Sequence, residues 1–210
     1  MRKITTAGLW SVTRGAGLSL VWMVRRPRLA RDIPRTLGTF GKGTLDLREA
    51  WLPYRLTDTL LHRIGPGTRV FEYGGGGSTA WFADLGADVT TVEHHPEWVA
   101  HLNEQFRDDE HVELIHRSDA NGFADYITAI DAYPDASFDV VVVDGRERVQ
   151  CFEHSVAKIK PGGTLILDDV DRARYARAFE VVDWPREVVH GFAPCKPTMG
   201  HTAAFTRPAA

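Results

Sequence analysis

The chain has 210 residues, of which 43% are hydrophobic and 10% aromatic, so it is long and apolar enough to fold around a core. This composition excludes a disordered or fibrous protein, and a formal net charge of -3 argues against general binding of nucleic acid. The two cysteines, Cys151 and Cys195, have neither metal-type spacing nor a disulfide framework, which is typical of a reducing cytoplasm.

Residues 1–43 form a basic and apolar arm with a linker, ahead of a predicted domain at 44–210. Residues 9–24 include Trp10 and Trp22, but Arg14 interrupts the apolar run, which is too short to span a bilayer. An arginine cluster follows the run, which is the reverse of the order in a signal peptide: Arg25, Arg26, Arg28, Arg31 and Arg35. We expect a cytoplasmic protein whose arm either lies on an anionic membrane surface or packs on the domain or a second subunit, with residues 38–43 as the linker.

From residue 44 the pattern alternates between helices and strands. A helix over residues 52–64 precedes five strand-like runs, the first just before four consecutive glycines and the others at residues 88–93, 111–116, 138–144 and 164–167. The β-branched run at 138–144 is typical of a strand buried on both faces of a parallel sheet. Residues 171–179 predict a helix. The runs at 187–190 and 202–206 predict an antiparallel hairpin, and Pro194 and Pro197 indicate a long exposed loop between them.

The four glycines at 74–77 stand between the first strand and a helix that we expect to be capped by Ser78 or Thr79. This construction is typical of a site for a nucleotide-like cofactor, because glycine allows close approach to the backbone. Ligands of an open α/β sheet bind at the carboxyl ends of its strands. A carboxylate stands at each of four strand ends, which predicts one acidic crevice: Glu72, Glu93, Asp119 and Asp144.

Two classes of cofactor fit the glycines. Gly75, Gly77 and Ala80 match the register of a dinucleotide site, which would indicate an NAD(P)-binding oxidoreductase. However, Glu72 beside the turn would repel a pyrophosphate. A cofactor with a cationic, amino-acid-bearing end would be attracted instead. The acidic residues therefore favour S-adenosylmethionine, whose sulfonium and ammonium groups are positive.

Residues 52–206 resemble a class I S-adenosylmethionine-dependent methyltransferase. The glycine segment resembles the first motif of that superfamily, VEHHPEW the second, the pair Ser118 and Asp119 its adenine-binding motif, FDVVVVDG the fourth, and IKPGGTLIL the turn and strand that follow. The resemblance implies an α/β fold with a doubly wound, mostly parallel, seven-stranded Rossmann-like sheet and a C-terminal antiparallel hairpin. One departure from the first motif is Ser78, which replaces its third glycine.

The resemblance also implies roles in cofactor binding. Gly74 and Gly76 let the backbone approach the methionine portion, Glu93 holds the ribose, Asp119 reads the adenine amino group, and Asp144 lies near the amino end. The complete predicted cofactor site is Glu72, Tyr73, Gly74, Gly75, Gly76, Ser78, Glu93, His94, Ser118, Asp119 and Asp144.

Transfer of a methyl group to a hydroxyl requires a residue that takes up its proton. Asp144 and Asp168 are the predicted catalytic residues, and the predicted substrate-binding residues are Arg146, Arg148 and Asp169. Guanidinium groups suit a carboxylate or phosphate on the acceptor, although pairing of these arginines with neighbouring acids is an equally good explanation.

The three aspartates Asp144, Asp168 and Asp169 also resemble the divalent-metal ligands of the catechol-type O-methyltransferases. Here Asp169 replaces an asparagine of that family, and Glu147 replaces its catalytic lysine, so we predict no metal. The expected function is methyl transfer to an oxygen atom of a small or medium-sized acceptor. One version of this hypothesis has an acceptor linked to a sugar or a lipid. The alternatives are a methyltransferase-like scaffold that binds the cofactor without turnover, and the NAD(P)-binding oxidoreductase.

Overall fold

The computed structural model describes Val24, residues 26–196 and residues 198–209. A seven-stranded sheet has the order β3-β2-β1-β4-β5-β7-β6. Its strands are β1 Arg69–Tyr73, β2 Asp88–Glu93, β3 Val112–His116, β4 Phe138–Val143, β5 Ile159–Leu167, β6 Arg186–Gly191 and β7 Gly200–Thr206. Strands β1 to β5 pair in parallel, whereas β7 is antiparallel to both β5 and β6. The predicted fold class, including the antiparallel hairpin, is confirmed.

Seven short α-helices connect or flank the strands in the described part of the chain: α1 Ile33–Leu37, α2 Thr44–Leu47, α3 Tyr54–Leu60, α4 Gly77–Asp84, α5 Pro96–Gln105, α6 Ala124–Ile127 and α7 Arg148–Ser155. Four 3-10 helices add to them within the same described residues: Pro27–Asp32, Thr128–Ala132, Val156–Lys158 and Ala173–Glu180. None of the helices described here has the length and apolar composition needed to cross a bilayer.

Strand β4 lies at the centre of the core because both of its faces are apolar. Val141 and Val143 belong to an apolar layer with Phe71 and Leu165, on one side of the sheet. The other two valines of β4, Val140 and Val142, belong to the opposite layer, which also contains Val70, Phe82 and Ile166. Burial on both faces is the physical reason for the continuous β-branched sequence of this strand.

Several local predictions differ from the structure. The helix after the glycines begins at Gly77 with Gly76 as its N-cap residue, so neither Ser78 nor Thr79 holds the cap position. The hydroxyl of Thr79 nevertheless closes the first turn, because it accepts a hydrogen bond of 3.0 Å from the N–H of Gly76. The predicted turn before the fifth strand is part of β5, which extends back to Ile159. The helix predicted at 171–179 is the 3-10 helix Ala173–Glu180.

The prediction that the loop between β6 and β7 is exposed is wrong. Phe192 is 7% exposed and Ala193 fully buried, because this loop packs on the N-terminal segment. Leu29 from that segment shares an apolar cluster with Tyr54 and Phe192. The backbone N–H of Cys195 donates to the hydroxyl of Thr39 at 2.8 Å. Residues 9–23, Arg25 and Pro197 lie outside the described residues, and the division of the chain at residue 43 stays a prediction.

Candidate functional site

A cavity of about 820 Å³ opens at the carboxyl ends of β1, β2 and β4. The glycine turn, Glu93 and Asp144 meet there, as the strand order requires, because β1 is paired with both β2 and β4. The complete lining is Lys42, Gly43, Thr44, Leu45, Asp46, Trp51, Gly74, Gly75, Gly76, Gly77, Ser78, Glu93, His94, Trp98, His101, Asp144, Gly145, Arg146, Arg148 and Cys195.

The glycine turn presents backbone to the cavity. Gly74 has a φ of 96°, which a side chain would strain, and a Cβ at this position would lie 3.0 Å from the Cα of Gly145. The carbonyl oxygen of Gly75 accepts a hydrogen bond of 2.8 Å from the indole Nε1 of Trp98. The turn is therefore fixed from both sides, while its cavity face stays free of side chains. This arrangement fits a cofactor that approaches the backbone closely.

Glu93 ends β2 at the wall of the cavity. Its Oε1 accepts hydrogen bonds from the backbone N–H groups of His94, at 2.7 Å, and His95, at 2.9 Å. These bonds fix the carboxylate, and its Oε2 takes no part in them. The imidazole of His94 packs against the rings of Phe123 and Tyr126, with centroid distances of 5.3 and 5.9 Å. A fixed carboxylate beside an aromatic cluster suits the hydroxyls and the ring of a nucleoside.

Glu72 lies beneath the glycine turn instead of in the wall of the cavity. Its side chain is fully buried, and neither carboxyl oxygen has a hydrogen-bond partner of good geometry. Burial raises the pKa of Glu72 to about 7, against the opposing effect of the nearby Thr79 and Ser78 hydroxyls. A group that ionises near neutral pH next to the turn is suited to a cationic ligand, since positive charge favours its carboxylate form.

Asp144 follows β4 and belongs to a group of three aspartates, with Asp168 and Asp169, whose carboxylate oxygens lie within 4.8 Å of one another. Arg148 provides the central countercharge. Its guanidinium lies 2.8 Å from Asp144, 3.2 Å from Asp169 and 3.8 Å from Asp168. Lys196 approaches the same group, 3.7 Å from Asp169. Burial and the neighbouring Asp168 raise the pKa of Asp144, and Arg148 opposes that rise.

The position of Arg148 does not support the prediction that it binds the acceptor. The side chain is buried, and its guanidinium donates to the carbonyl oxygens of Gly145, Asp144 and Asp168 as well as pairing with the three aspartates. The group has no donors to spare for a carboxylate or phosphate. Arg146, in contrast, is exposed at the cavity and forms no ion pair within the described part of the chain.

Other predicted residues also lie away from the cavity. Tyr73 is fully buried, and its hydroxyl donates to the carbonyl oxygen of Ile127. Asp168 is 4% exposed and accepts a hydrogen bond from Thr202, so it contacts the site through Arg148. Residues Ser118 and Asp119 are exposed after β3. The four strand-end carboxylates therefore do not share one crevice, because only Glu93 and Asp144 reach its lining.

One wall of the cavity has no counterpart in the sequence prediction. It comes from the segment 42–51, from α5 and from the loop after β6: Lys42, Thr44, Leu45, Asp46, Trp51, Trp98, His101 and Cys195. Segment 42–51 packs so closely on the turn that a Cβ at Gly77 would lie 2.3 Å from the carbonyl oxygen of Glu49. The two tryptophans, Trp51 and Trp98, are the members of this wall whose residue type carries a signal, and Trp98 lies within the VEHHPEW motif.

Comparison with known proteins agrees with this geometry. Residues 71–170 match the family model of a methyltransferase domain. This segment of the chain is a methyltransferase domain. The matched residues run from β1 to just beyond β5, and the antiparallel hairpin that follows completes the class I arrangement. The cofactor of that superfamily is S-adenosylmethionine, which confirms the predicted family and cofactor and leaves the NAD(P)-binding oxidoreductase without support.

Solved structures share the fold. A methyltransferase-like protein from Silicibacter pomeroyi has a TM-score of 0.53 at 21% identity, over 77% of this chain and 90% of that one. A precorrin-6y C5,15-methyltransferase from Geobacter metallireducens has a TM-score of 0.53 at 14% identity, over 72% and 86%. The 4+2 cyclase SpnF has a TM-score of 0.52 at 14% identity, over 74% and 81%. No curated protein matches the chain. Because the three neighbours differ in their named activities, they show the fold and leave the acceptor open.

Proposed function

We propose that the protein is an S-adenosylmethionine-dependent methyltransferase that methylates a hydroxyl of a small or medium-sized acceptor. The observation that carries the proposal is the single cavity in which the side-chain-free turn, the fixed carboxylate of Glu93 and the partly exposed carboxylate of Asp144 meet. The first two features suit the cofactor. The third supplies a proton acceptor at the place where an acceptor hydroxyl would enter.

The residues that would hold the cofactor divide along the cavity. Backbone at Gly74 and Gly76 would face the methionine portion, and the Oε2 of Glu93, which takes no part in the bonds to His94 and His95, would accept the ribose hydroxyls. Asp119 is exposed after β3, outside the cavity lining, and in this proposal it would contact the adenine amino group of the bound cofactor. The bound cofactor supplies a methyl group on a positively charged sulfur, ready for in-line displacement. The protein then has to position the acceptor oxygen and to remove its proton.

Asp144 is the residue we propose for proton removal. Its side chain is 28% exposed at the cavity, whereas Asp168 is almost fully buried, so Asp144 is the one that an acceptor can reach. A raised pKa makes its carboxylate a stronger base, and the contact with Arg148 orients that carboxylate and opposes the rise. Asp168 and Asp169 act as positioning residues, because both reach Asp144 through the same guanidinium.

The acceptor side of the cavity contains two cationic groups and an indole. Lys42 and Arg146 line it without an ion pair in the described part of the chain, and Trp51 also belongs to the lining. Guanidinium and ammonium groups favour an anionic acceptor, such as one that carries a carboxylate or phosphate. An indole provides an apolar surface for a ring or an acyl chain. These features support an anionic, sugar- or lipid-linked acceptor.

Cofactor binding is tested first by calorimetry of the full chain with S-adenosylmethionine and with NAD. We expect binding of S-adenosylmethionine alone. Glu93→Gln should weaken it by about 10- to 100-fold, because charge-assisted hydrogen bonds to the ribose would be lost. The matched control is the exposed Glu180→Gln, which should bind as the parent does. Binding of NAD alone would contradict the proposal.

Turnover is tested by release of S-adenosylhomocysteine against a panel of hydroxylated acceptors with and without a carboxylate, phosphate, sugar or lipid. We expect activity with an anionic member of the panel. Asp144→Asn should lower its kcat by at least about 100-fold, with Asp183→Asn as the exposed control. Tight binding of the cofactor without release of product from any acceptor would favour the scaffold function instead.

A further inference from the structure

The N-terminal part of the chain is strongly basic although the whole chain is slightly acidic. The formal net charge is -3, yet seven basic residues and no acidic residue precede Asp32. In the described segment 26–42, Asp32 is the only acidic side chain. The side chains of Arg28, Arg31 and Lys42 are exposed and form no ion pair with any described residue. This charge is therefore available to an external partner.

The same segment exposes large apolar side chains. Six such residues are prominent at the described surface, and four of them lie at or before position 51: Val24 at 78%, Leu37 at 59%, Phe40 at 44% and Trp51 at 47%. Exposed apolar side chains beside unpaired basic ones are the combination that binds the boundary between head groups and acyl chains. We call Val24, residues 26–42 and Trp51 together the basic-apolar surface.

This surface continues into the cavity. Lys42 and Trp51 belong to the basic-apolar surface and also line the cavity. The segment is held in place on the domain, because Leu29 packs with Tyr54 and Phe192 and because Arg35 stacks on the ring of Tyr54 at 3.9 Å. Its position next to the cavity mouth is therefore part of the folded domain.

We infer that the basic-apolar surface docks the protein on an anionic membrane. The charge favours a bilayer that contains acidic lipids over a neutral one. The preceding 23 residues add further basic residues, no acidic ones and two tryptophans, at positions 10 and 22, a residue type that prefers the membrane interface. A bilayer bound there lies next to the cavity mouth, where a lipid-carried acceptor would enter; this last consequence rests on the proposed function, whereas docking itself does not.

Co-sedimentation of the full chain with vesicles tests the inference, without cofactor or acceptor. We expect binding to vesicles of phosphatidylglycerol and phosphatidylcholine, weakening with salt, and little binding to phosphatidylcholine alone. Arg28→Glu with Arg31→Glu should lower the partition coefficient by at least about 20-fold, since each basic residue at such a surface contributes about fivefold. The control pair, Arg107→Glu with Arg177→Glu, changes the total charge equally at sites elsewhere that are 65% and 76% exposed.

A second pair of variants isolates the apolar part. Phe40→Ser should weaken vesicle binding, whereas Leu61→Ser, which alters a side chain of similar exposure at the end of α3, should not. The inference is overturned if the chain ignores anionic vesicles, or if both charge-reversal pairs reduce binding equally. It is also overturned if ultracentrifugation shows that the basic-apolar surface joins two copies of the chain in solution. A failure of turnover leaves these measurements unaffected.

Discussion

Replacement of Glu72 by glutamine should change how the stability of the protein depends on pH. In the folded protein the pKa of Glu72 is raised from 4.5 to about 7, chiefly by burial beneath the glycine turn. Between these values, the folded side chain keeps a proton that the unfolded chain releases. The contribution of Glu72 to stability is therefore fully present below pH 4.5, and it is lost as the pH rises towards 7.

The size of the effect follows from the same two values. The difference between 4.5 and about 7 corresponds to about 3 kcal/mol in the free energy of unfolding, as an order of magnitude. Glu72→Gln carries no titrating group, so it should lack this part of the pH dependence. Relative to the parent, the variant should gain about 3 kcal/mol between pH 4.5 and pH 8, whatever its stability at low pH.

Urea unfolding of the cofactor-free chain, followed by circular dichroism from pH 4.5 to pH 8, measures this difference. Asp144 and the buried Asp168 titrate in both proteins, so their contributions cancel when the two curves are subtracted. Glu180→Gln, at an exposed position, should leave the curve unchanged. Parallel curves for the parent and Glu72→Gln would refute the reasoning, because they would mean that Glu72 ionises in the folded chain as it does in the unfolded one.

Three other predictions follow from the site. Binding of S-adenosylmethionine at pH 7 should release protons from the parent and fewer from Glu72→Gln, which calorimetry in buffers of different ionisation enthalpy would detect. Gly77→Ala should lower the free energy of unfolding by about 1–3 kcal/mol, since the added Cβ would lie 2.3 Å from the carbonyl oxygen of Glu49, whereas Gly65→Ala meets no atom within 4 Å. Methyl transfer should be unchanged by EDTA; loss of activity that Mg²⁺ restores would contradict the countercharge that we assign to Arg148.

The sequence predicts the sheet well because its signals are local and redundant. The valines of β4 indicate a central strand, and the glycines with Glu93 and Asp144 indicate where a ligand site opens. Glu72 and Tyr73 are harder to place. They are neighbours on a strand, so their side chains point to opposite faces, and β1 is buried on both faces. The alternation of apolar and polar residues along β1 therefore does not indicate which of the two side chains reaches the ligand.

Contacts between distant loops lie beyond this kind of prediction. Trp51 and Cys195 line the same cavity because the loop after β6 folds back on the N-terminal segment. Nothing in the local sequence of either segment specifies that contact. The two prolines of the loop predict an irregular, exposed backbone, but Phe192 and Ala193 provide apolar contacts that bury it. Loop packing of this kind depends on the complete fold.

Arg148 shows why residue type alone does not identify a metal site. It is the first residue of α7, four positions after Asp144, and this spacing returns its guanidinium to the end of β4. There it pairs with three carboxylates and bonds three carbonyl oxygens, so a cation entering the group would have to displace a buried, fully bonded side chain. Without Arg148, three carboxylates within 4.8 Å would lack their central countercharge, which is a costly arrangement. The fold therefore contains its own fixed cation among the three aspartates, and this cation orients Asp144 and opposes the rise in its pKa.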